Sequence, residues 1–197
     1  MRHFTRLAVA LAAMGLALPA SAARIVFVAT MDGPSESPPV VSPATGWARV
    51  SFDDVALTMR VSAIFEDLIG ITTVAHIHCC TAEAGIATAG VATQPGTFLG
   101  WPVGVTSGSY ARMFDMSVPG SYTAGFLAAN GATPAGAFAG LLAGLESGRG
   151  YFNVHTTFAP GGEIRGFLVR VPEPGSLLLL GLGLVILALV TRRRRAD

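Results

Sequence analysis

The sequence contains no lysine, and charged residues of all kinds fill only 13% of its 197 positions. Soluble globular domains usually carry about 25% charged residues, so this chain, with 51% hydrophobic residues, is unusually apolar. Between positions 24 and 170, seven arginines face ten aspartates and glutamates. That stretch has no surplus of positive charge with which to bind a phosphate backbone, so nucleic acid is not an expected partner.

Cysteine is also scarce. The two cysteines, Cys79 and Cys80, are adjacent, so no disulfide within the chain can join distant segments. Two alternatives stay open: a disulfide between these neighbours, or a free thiolate. In an extended strand Cys80, rather than Cys79, lies on the same face as His78, so Cys80 is the better candidate for a metal ligand.

The excess of apolar residues is concentrated at the two ends of the chain. Residues 1–22 combine a short basic start, an apolar Ala-rich run and the small residues Ala20-Ser21-Ala22. This order is typical of a secretory signal peptide, with cleavage expected after Ala22. The Sec machinery is therefore an expected partner.

Near the other end, Pro172-Glu173-Pro174 precede an apolar run from Leu177 to Val190, and four arginines follow at 192–195. As a helix that run rises about 21 Å, less than the roughly 30 Å of a hydrocarbon core. Flanking residues, snorkelling arginines and local thinning of the bilayer still allow a transmembrane helix at 176–191. The arginines predict that the C-terminus lies in the cytoplasm.

Residues 23–171 alternate between apolar and polar side chains in a way that predicts short antiparallel strands. Gly46–Phe52 and Leu57–Phe65 each have one apolar face, and Asp53-Asp54 between them predicts a hairpin turn. Further strands are expected at Ile25–Ala29, at Val74–His78 and at Arg112–Val118, the last with Met113 and Val118 on its apolar side. Residues 32–43 predict an extended segment or loop, and residues 85–108 show no clear period.

A helical period replaces the alternation after Ser121. Thr133 is the expected cap of a helix that begins at Pro134 and buries Phe138, Leu141, Leu142 and Leu145, and Gly148 is the expected stop. A shorter helix is expected within Tyr122–Ala129. The fold class predicted from these elements is mainly β: a Greek-key-like antiparallel β-sandwich with a short helical insertion. The helices of this insertion are expected to cover one end of the sandwich.

The last part of the domain predicts a hairpin with one polar face. Gly150–Thr156 and Glu163–Val169 flank a turn at Pro160-Gly161-Gly162. If His155 pairs with Glu163, the period of two places Asn153 opposite Arg165 and Tyr151 opposite Phe167. We interpret Asn153 and Arg165 as members of a structural polar cluster.

Three histidines carry the candidate chemistry. His76 and His78 lie two positions apart on one strand face, and His155 belongs to the polar face of the last hairpin. Together they could hold zinc or copper, with Glu163 or Cys80 as a further ligand. The alternative is that the imidazoles bond to the backbone and to Glu163 or Asn153, in a polar cluster that stabilises the fold.

These motifs resemble those of the CHRD domain, a repeat of chordin and of many bacterial secreted proteins. The resemblance covers residues 25–169 and assigns no reaction to the chain. The His-x-His pair is also similar to a strand of copper-zinc superoxide dismutase, a Greek-key β-sandwich, but three histidines cannot supply its two-metal site. The matching CHRD motifs are Pro38-Pro39-Val40 with Ala44-Thr45-Gly46, Ala75-His76-Ile77-His78, Asn153-Val154-His155-Thr156 and Gly161-Gly162-Glu163-Ile164-Arg165-Gly166.

The C-terminal order of Pro-Glu-Pro, apolar run and arginines is similar to the PEP-CTERM sorting signal of Gram-negative bacteria. That resemblance implies an exosortase that recognises Pro172, Glu173 and Pro174, and delivery beyond the inner membrane, often alongside exopolysaccharide. We therefore expect a noncatalytic module of the cell surface or extracellular matrix, held in the inner membrane before processing. The alternative is a metal-binding protein or small metalloenzyme that uses His76, His78 and His155.

Overall fold

The computed structural model describes residues 24–172, 180–181 and 183–185. The predicted signal peptide, Glu173 and Pro174 lie outside these residues, as does most of the predicted helix at 176–191. Residues 180–181 and 183–185 are helical. Within the three described ranges, no helix is both long enough and apolar enough to cross a membrane.

Residues 25–170 form eight strands, one 3₁₀ turn and two α-helices. All of these helical elements lie between the fifth and sixth strands, and the two α-helices follow the change of period after Ser121. The elements are β1 (Ile25–Asp32), β2 (Thr45–Asp53), β3 (Thr58–Glu66), β4 (Thr72–Cys79), β5 (Gly108–Asp115), a 3₁₀ turn (Pro119–Ser121), α1 (Ala124–Ala129), α2 (Pro134–Glu146), β6 (Gly150–Thr156), β7 (Ile164–Phe167) and β8 (Val169–Arg170).

The strands join in one antiparallel sheet of order β4-β6-β7-β1-β2-β3-β5, with β8 also paired to β1. The predicted mainly β, antiparallel architecture is confirmed, but the sheet is continuous and curled rather than divided into two sheets of a sandwich. The reason lies in β1, which hydrogen-bonds along both edges. It pairs with β2 over its full length, and with β7 at Asp32 and β8 at Phe27 and Val28.

The predicted β2–β3 hairpin is confirmed, with Phe52 opposite Met59 and Val50 opposite Val61. Asp53 closes the turn, because its carboxylate accepts hydrogen bonds from the backbone N–H groups of Val55 and Ala56. The alternate side chains of both strands are fully buried. They form one wall of the apolar core.

The strand predicted at Arg112–Val118 lies earlier in the chain, at β5, and it buries the other face. Met113 and Val118 are exposed, whereas Tyr110 and Phe114 are buried. The register with β3 explains the difference, because Tyr110 lies opposite Ala63 and Phe114 opposite Met59, both of which face the core. The prediction for Met113 and Val118 was therefore wrong.

Both predicted helices are confirmed. Thr133 caps α2, since its hydroxyl accepts a hydrogen bond from the N–H of Gly136 at 3.1 Å, and Pro134 is the first helical residue. Gly148 follows α2 with a φ of +70°, which favours glycine. Phe138, Leu141 and Leu145 are buried and Leu142 is partly buried.

The segment between β4 and β5 (residues 80–107, here the β4–β5 segment) had no predicted strands. It runs along the free edge of β4, where Gly90, Ala92 and Phe98 exchange backbone hydrogen bonds with the strand. Phe98 then enters the core, 5.5 Å from the ring centres of Phe114 and Phe152. This segment therefore covers an edge that would otherwise expose unpaired backbone groups.

Candidate functional site

Strands β4 and β6 place the three histidines on one face of the sheet. His76 lies opposite Asn153 and His78 lies opposite Tyr151, while His155 is two residues further along β6. The alternate side chains of both strands, among them Ile77 and Val154, are fully buried on the apolar side. Two segments more than seventy residues apart thus form adjacent strands with one polar face and one apolar face.

The hairpin of β6 and β7 has the predicted register. Tyr151 pairs with Phe167 and Asn153 with Arg165. The polar face is covered by the loop between β1 and β2 (residues 33–44, the β1–β2 loop), by the β4–β5 segment and by the β6–β7 loop (residues 157–163). Each of these loops contributes a backbone carbonyl that bonds to a histidine or to Arg165.

The three imidazoles lie close together and nearly out of contact with solvent. Their ring centres are 5.5 Å apart for His76 and His78, 5.1 Å for His76 and His155, and 5.7 Å for His78 and His155. One possible ligand atom from each ring lies within 4.8 Å of the other two. The three residues are 6% to 8% exposed. The structure therefore brings together the three histidines that the sequence singled out.

Each imidazole bonds to one backbone carbonyl. The carbonyl oxygen of Gly96 lies 2.7 Å from Nε2 of His76, that of Ala89 lies 2.9 Å from Nδ1 of His78, and that of Pro160 lies 2.9 Å from Nδ1 of His155. A carbonyl oxygen only accepts hydrogen bonds, so these ring nitrogens must be the donors. The other nitrogen of each ring is buried and has no hydrogen-bond partner.

Burial keeps the histidines uncharged at neutral pH. It lowers the pKa of all three, and that of His78 falls to about 4, although the backbone hydrogen bonds act in the opposite direction. Positive charge on neighbouring groups lowers the pKa of His76 and His78 further. A neutral imidazole that donates through one nitrogen presents a lone pair at the other.

Tyr151 and Arg165 support His78 from one side. The ring of Tyr151 is parallel to that of His78 at 4.8 Å, and the guanidinium carbon of Arg165 lies 4.8 Å from the centre of the Tyr151 ring. Arg165 also donates hydrogen bonds to the carbonyls of Ser35 and Ala87. The stack therefore joins the β1–β2 loop to the β4–β5 segment across the polar face.

Glu36 also belongs to this face. No pattern in the sequence points to it, because it lies in a Pro- and Ser-rich loop. It is buried and lies 3.8 Å from Arg165. Burial raises the pKa of Glu36 to about 7, even though Arg165 and the backbone N–H of Ser37 favour the ionised form. Gly162, with a φ of +129°, lets the backbone lie close to the side chains of Glu36 and Asn153. A Cβ at this position would be 2.5 Å from both Glu36 Oε1 and Asn153 Oδ1.

Glu163 does not join the histidines, and the reason is that both of its oxygens are already occupied. Oε1 accepts from Ser42 Oγ and from the N–H of Ile69, both at 2.7 Å. Oε2 accepts from Thr156 Oγ1 at 2.6 Å and from the N–H of Gly70 at 3.2 Å. Burial alone would raise the pKa of Glu163, but these hydrogen bonds outweigh it and lower the pKa.

Cys80 is not available as a thiolate ligand either. Cys79 and Cys80 form a disulfide with each other, so the first of the two alternatives from the sequence applies. Both sulfur atoms pack against Gly144 of α2, where there is no room for a larger residue. The pair therefore fixes the end of β4 against the helix.

Pro172, the first residue of the predicted sorting motif, leaves the domain beside β1. The N–H of Val171 donates a 2.8 Å hydrogen bond to the carbonyl of Val26, and Pro172 follows directly. This hydrogen bond thus lies directly before the predicted motif.

The fold and the site define a small antiparallel β domain whose polar face, rich in histidine, is buried beneath three loops. The family model of the CHRD domain matches residues 27–168, and the chain belongs to the CHRD domain family. The PEP-CTERM protein-sorting motif matches residues 170–195, which implies processing by an exosortase and export through a membrane-anchored C-terminal signal. Both predicted resemblances are confirmed. No curated protein and no solved structure matches the chain.

Proposed function

We propose that this protein is an exported, exosortase-processed and noncatalytic module of the cell surface or extracellular matrix. The observation that carries the proposal is the PEP-CTERM motif at residues 170–195, directly after a CHRD domain. CHRD domains form a family of non-enzymatic modules, which supports a role in binding or assembly rather than catalysis.

The route of export follows from the two ends of the sequence. Residues 1–22 direct the chain to the Sec machinery and are removed after Ala22. The helix at 176–191 holds the chain transiently in the inner membrane, with the C-terminus in the cytoplasm because of the arginines at 192–195. Exosortase then acts at Pro172-Glu173-Pro174 and releases the domain to the cell surface or the extracellular matrix, beside exopolysaccharide.

The boundary between domain and motif supports this route. β8 pairs with β1 at Phe27 and Val28, and Val171 bonds to Val26, so these contacts of the sheet precede Pro172-Glu173-Pro174. Cleavage at or after Pro172 therefore keeps all eight of the described strands. The CHRD domain is expected to remain folded after processing.

The test is expression of the full chain in a Gram-negative host that has an exosortase, and in the same host without the enzyme. We expect a shortened product outside the inner membrane in the first host. In the second host we expect residues 23–197 (here the full-length product) in the membrane. The matched variant Glu173→Ala keeps the apolar run and the arginines, so it should insert normally but accumulate uncleaved.

Three measurements separate the outcomes: intact mass, membrane fractionation and surface labelling. A full-length product that stays in the membrane of the exosortase-bearing host would contradict the proposed processing. Cleavage of Glu173→Ala at the normal rate would contradict recognition of the Pro-Glu-Pro residues.

A further inference from the structure

Three buried nitrogen atoms on the polar face have no hydrogen-bond partner: Nδ1 of His76, Nε2 of His78 and Nε2 of His155. Proteins rarely leave buried polar atoms unpartnered. Since the opposite nitrogen of each ring donates to a carbonyl, each of these atoms presents a lone pair in the neutral imidazole. The cluster therefore offers three acceptors and no donor.

A single partner for all three nitrogens has to accept three lone pairs at once. A single water molecule has two O–H groups, so it leaves at least one of the three nitrogens without a donor. A metal ion accepts all three. Imidazole nitrogen is a preferred ligand of zinc and copper, whereas calcium and magnesium select oxygen ligands.

The geometry is close to that of a compact metal site. Zinc binds imidazole nitrogen at about 2.0–2.1 Å, which places tetrahedral ligand atoms about 3.3 Å apart. The candidate atoms lie within 4.8 Å of one another. Each ring would have to move by less than about 1 Å to close around an ion.

The hydrogen bonds of the three rings resemble those of metal-binding histidines. A ligating histidine generally donates its other N–H to a carbonyl or carboxylate, which fixes both the tautomer and the orientation of the ring. Here Gly96, Ala89 and Pro160 supply the carbonyls. Tyr151 stacks on His78 at 4.8 Å and restricts it further.

From this arrangement we propose that His76, His78 and His155 bind one transition-metal ion, either zinc or copper, through Nδ1 of His76 and Nε2 of the other two. Glu163 and Cys80 are not ligands, because Glu163 accepts four hydrogen bonds and Cys80 is in a disulfide. With three protein ligands, a tetrahedral ion keeps one position for water or an external ligand. The proposal does not depend on how the protein is sorted.

The experiment uses the full chain, purified in mild detergent, stripped with a chelator and then titrated separately with Zn²⁺ and Cu²⁺. Metal analysis after gel filtration should give about one equivalent of zinc or of copper per chain. Each of His76→Gln, His78→Gln and His155→Gln should weaken binding at least 100-fold. The matched control is Glu146→Gln, a change at an exposed carboxylate outside the histidine cluster, which should leave the stoichiometry unchanged.

A folded wild-type chain that retains neither metal would overturn the proposal, and so would His76, His78 and His155 variants that bind as tightly as the wild type. A variant that fails to fold does not stop the test, because the wild type can be examined alone. The electron paramagnetic resonance spectrum of its Cu²⁺ form should show splitting from imidazole nitrogens. A spectrum of oxygen ligands alone would also overturn it.

Discussion

At the scale of single residues, Glu163 shows how one buried carboxylate can organise several segments. Its two oxygens bond to the β1–β2 loop through Ser42, to the β3–β4 turn through Ile69 and Gly70, and to β6 through Thr156. Four donors therefore depend on a side chain that is fully buried. The sequence predicts Glu163 at the start of the second hairpin strand, whereas the structure places it in the β6–β7 loop, one residue before β7.

We expect Glu163→Gln to lower the free energy of unfolding by about 3 kcal/mol, because one oxygen becomes an N–H₂ group that faces two donors. The same change at Glu146 is the control, since its 2.8 Å ion pair with Arg170 is exposed. Exposed pairs contribute less than about 1 kcal/mol. Urea denaturation of both variants checks this, and equal losses would contradict a special role for Glu163.

Glu36 leads to a prediction about pH. Its pKa is raised to about 7 in the folded protein, from 4.5, mainly by burial. Between these values the folded state holds a proton that the unfolded state has lost, so Glu36 lowers stability as the pH rises from 4.5 to 7. Glu36→Gln, which resembles the protonated acid, should match the wild type near pH 4.5.

At pH 8 the Glu36→Gln variant should be the more stable by up to about 3 kcal/mol, since each pKa unit corresponds to about 1.4 kcal/mol. Urea denaturation of both proteins at intervals from pH 4 to pH 8 measures this difference. A stability difference that stays constant over that range would show that folding does not shift the pKa of Glu36.

The residues of the polar face differ in how far the sequence could reveal them. His76, His78 and His155 were found because strand alternation places them on polar faces, and a short hairpin fixes the register of β6. Glu36 could not be found, since it lies in a loop and no periodic pattern relates it to Arg165. Cys80 was a candidate metal ligand because strand alternation places it on the same face as His78. Alternation does not reveal that its sulfur is bonded to Cys79.

At the scale of secondary structure elements, the contact between α2 and the end of β4 is unusually close. A Cβ at Gly144 would collide with the sulfur atoms of Cys79 and Cys80, while a Cβ at Gly125 of α1 would meet nothing within 4 Å. Packing against the disulfide therefore requires glycine at position 144. At position 125 glycine lowers helix stability, and no close contact requires it.

We expect Gly125→Ala to stabilise the domain by about 0.5–1 kcal/mol, the usual gain in helix propensity. Gly144→Ala gains the same propensity but should be destabilising overall, by about 1–3 kcal/mol, because an added methyl group overpacks the contact with the disulfide. Thermal unfolding of the two variants gives the comparison. A stabilised Gly144→Ala variant would mean that α2 can move away from β4 at little cost.

Elements with strong local signals were predicted well, and elements that depend on tertiary contacts were not. Thr133 and Pro134 predict the start of α2, and Asp53 predicts the β2–β3 turn. The positions of the helix and the turn therefore follow from nearby residues. β5 is different, since Tyr110 and Phe114 face inward only because of their register with β3. The β4–β5 segment bonds to the edge of β4 at irregular intervals. It therefore has no regular alternation of apolar and polar residues from which its strands could be predicted.

At the scale of the whole molecule, the sequence predicted antiparallel strands but not how many sheets they form. Alternation shows that each strand has one buried face, and this holds both for two packed sheets and for one curled sheet. The choice depends on whether β1 pairs on one edge or on both. That pairing involves Asp32 and Arg165, which are far apart in the chain and carry no local signal of their contact.

Strand β7, which pairs with β1, also holds the loops that cover the polar face. Arg165 of β7 donates hydrogen bonds to Ser35 in the β1–β2 loop and to Ala87 in the β4–β5 segment, and it lies 3.8 Å from Glu36. Two loops, bonded at Ser35 and Ala87 and separated by about a third of the domain sequence, are thus attached to one guanidinium. Because Lys has one ammonium group and no planar fork, Arg165→Lys cannot reproduce both directions of donation.

We therefore expect Arg165→Lys to loosen both loops together while the rest of the sheet stays intact. In hydrogen exchange, the amides of Val40, which bonds to Gly33, and of Cys79, which bonds to Gly90, should exchange at least tenfold faster. Amides in the β2–β3 hairpin should be unchanged, since they do not contact Arg165 and local opening need not spread to them. Faster exchange in only one of the two loops would show that Arg165 does not couple them, and the polar face would then be covered by two independent loops.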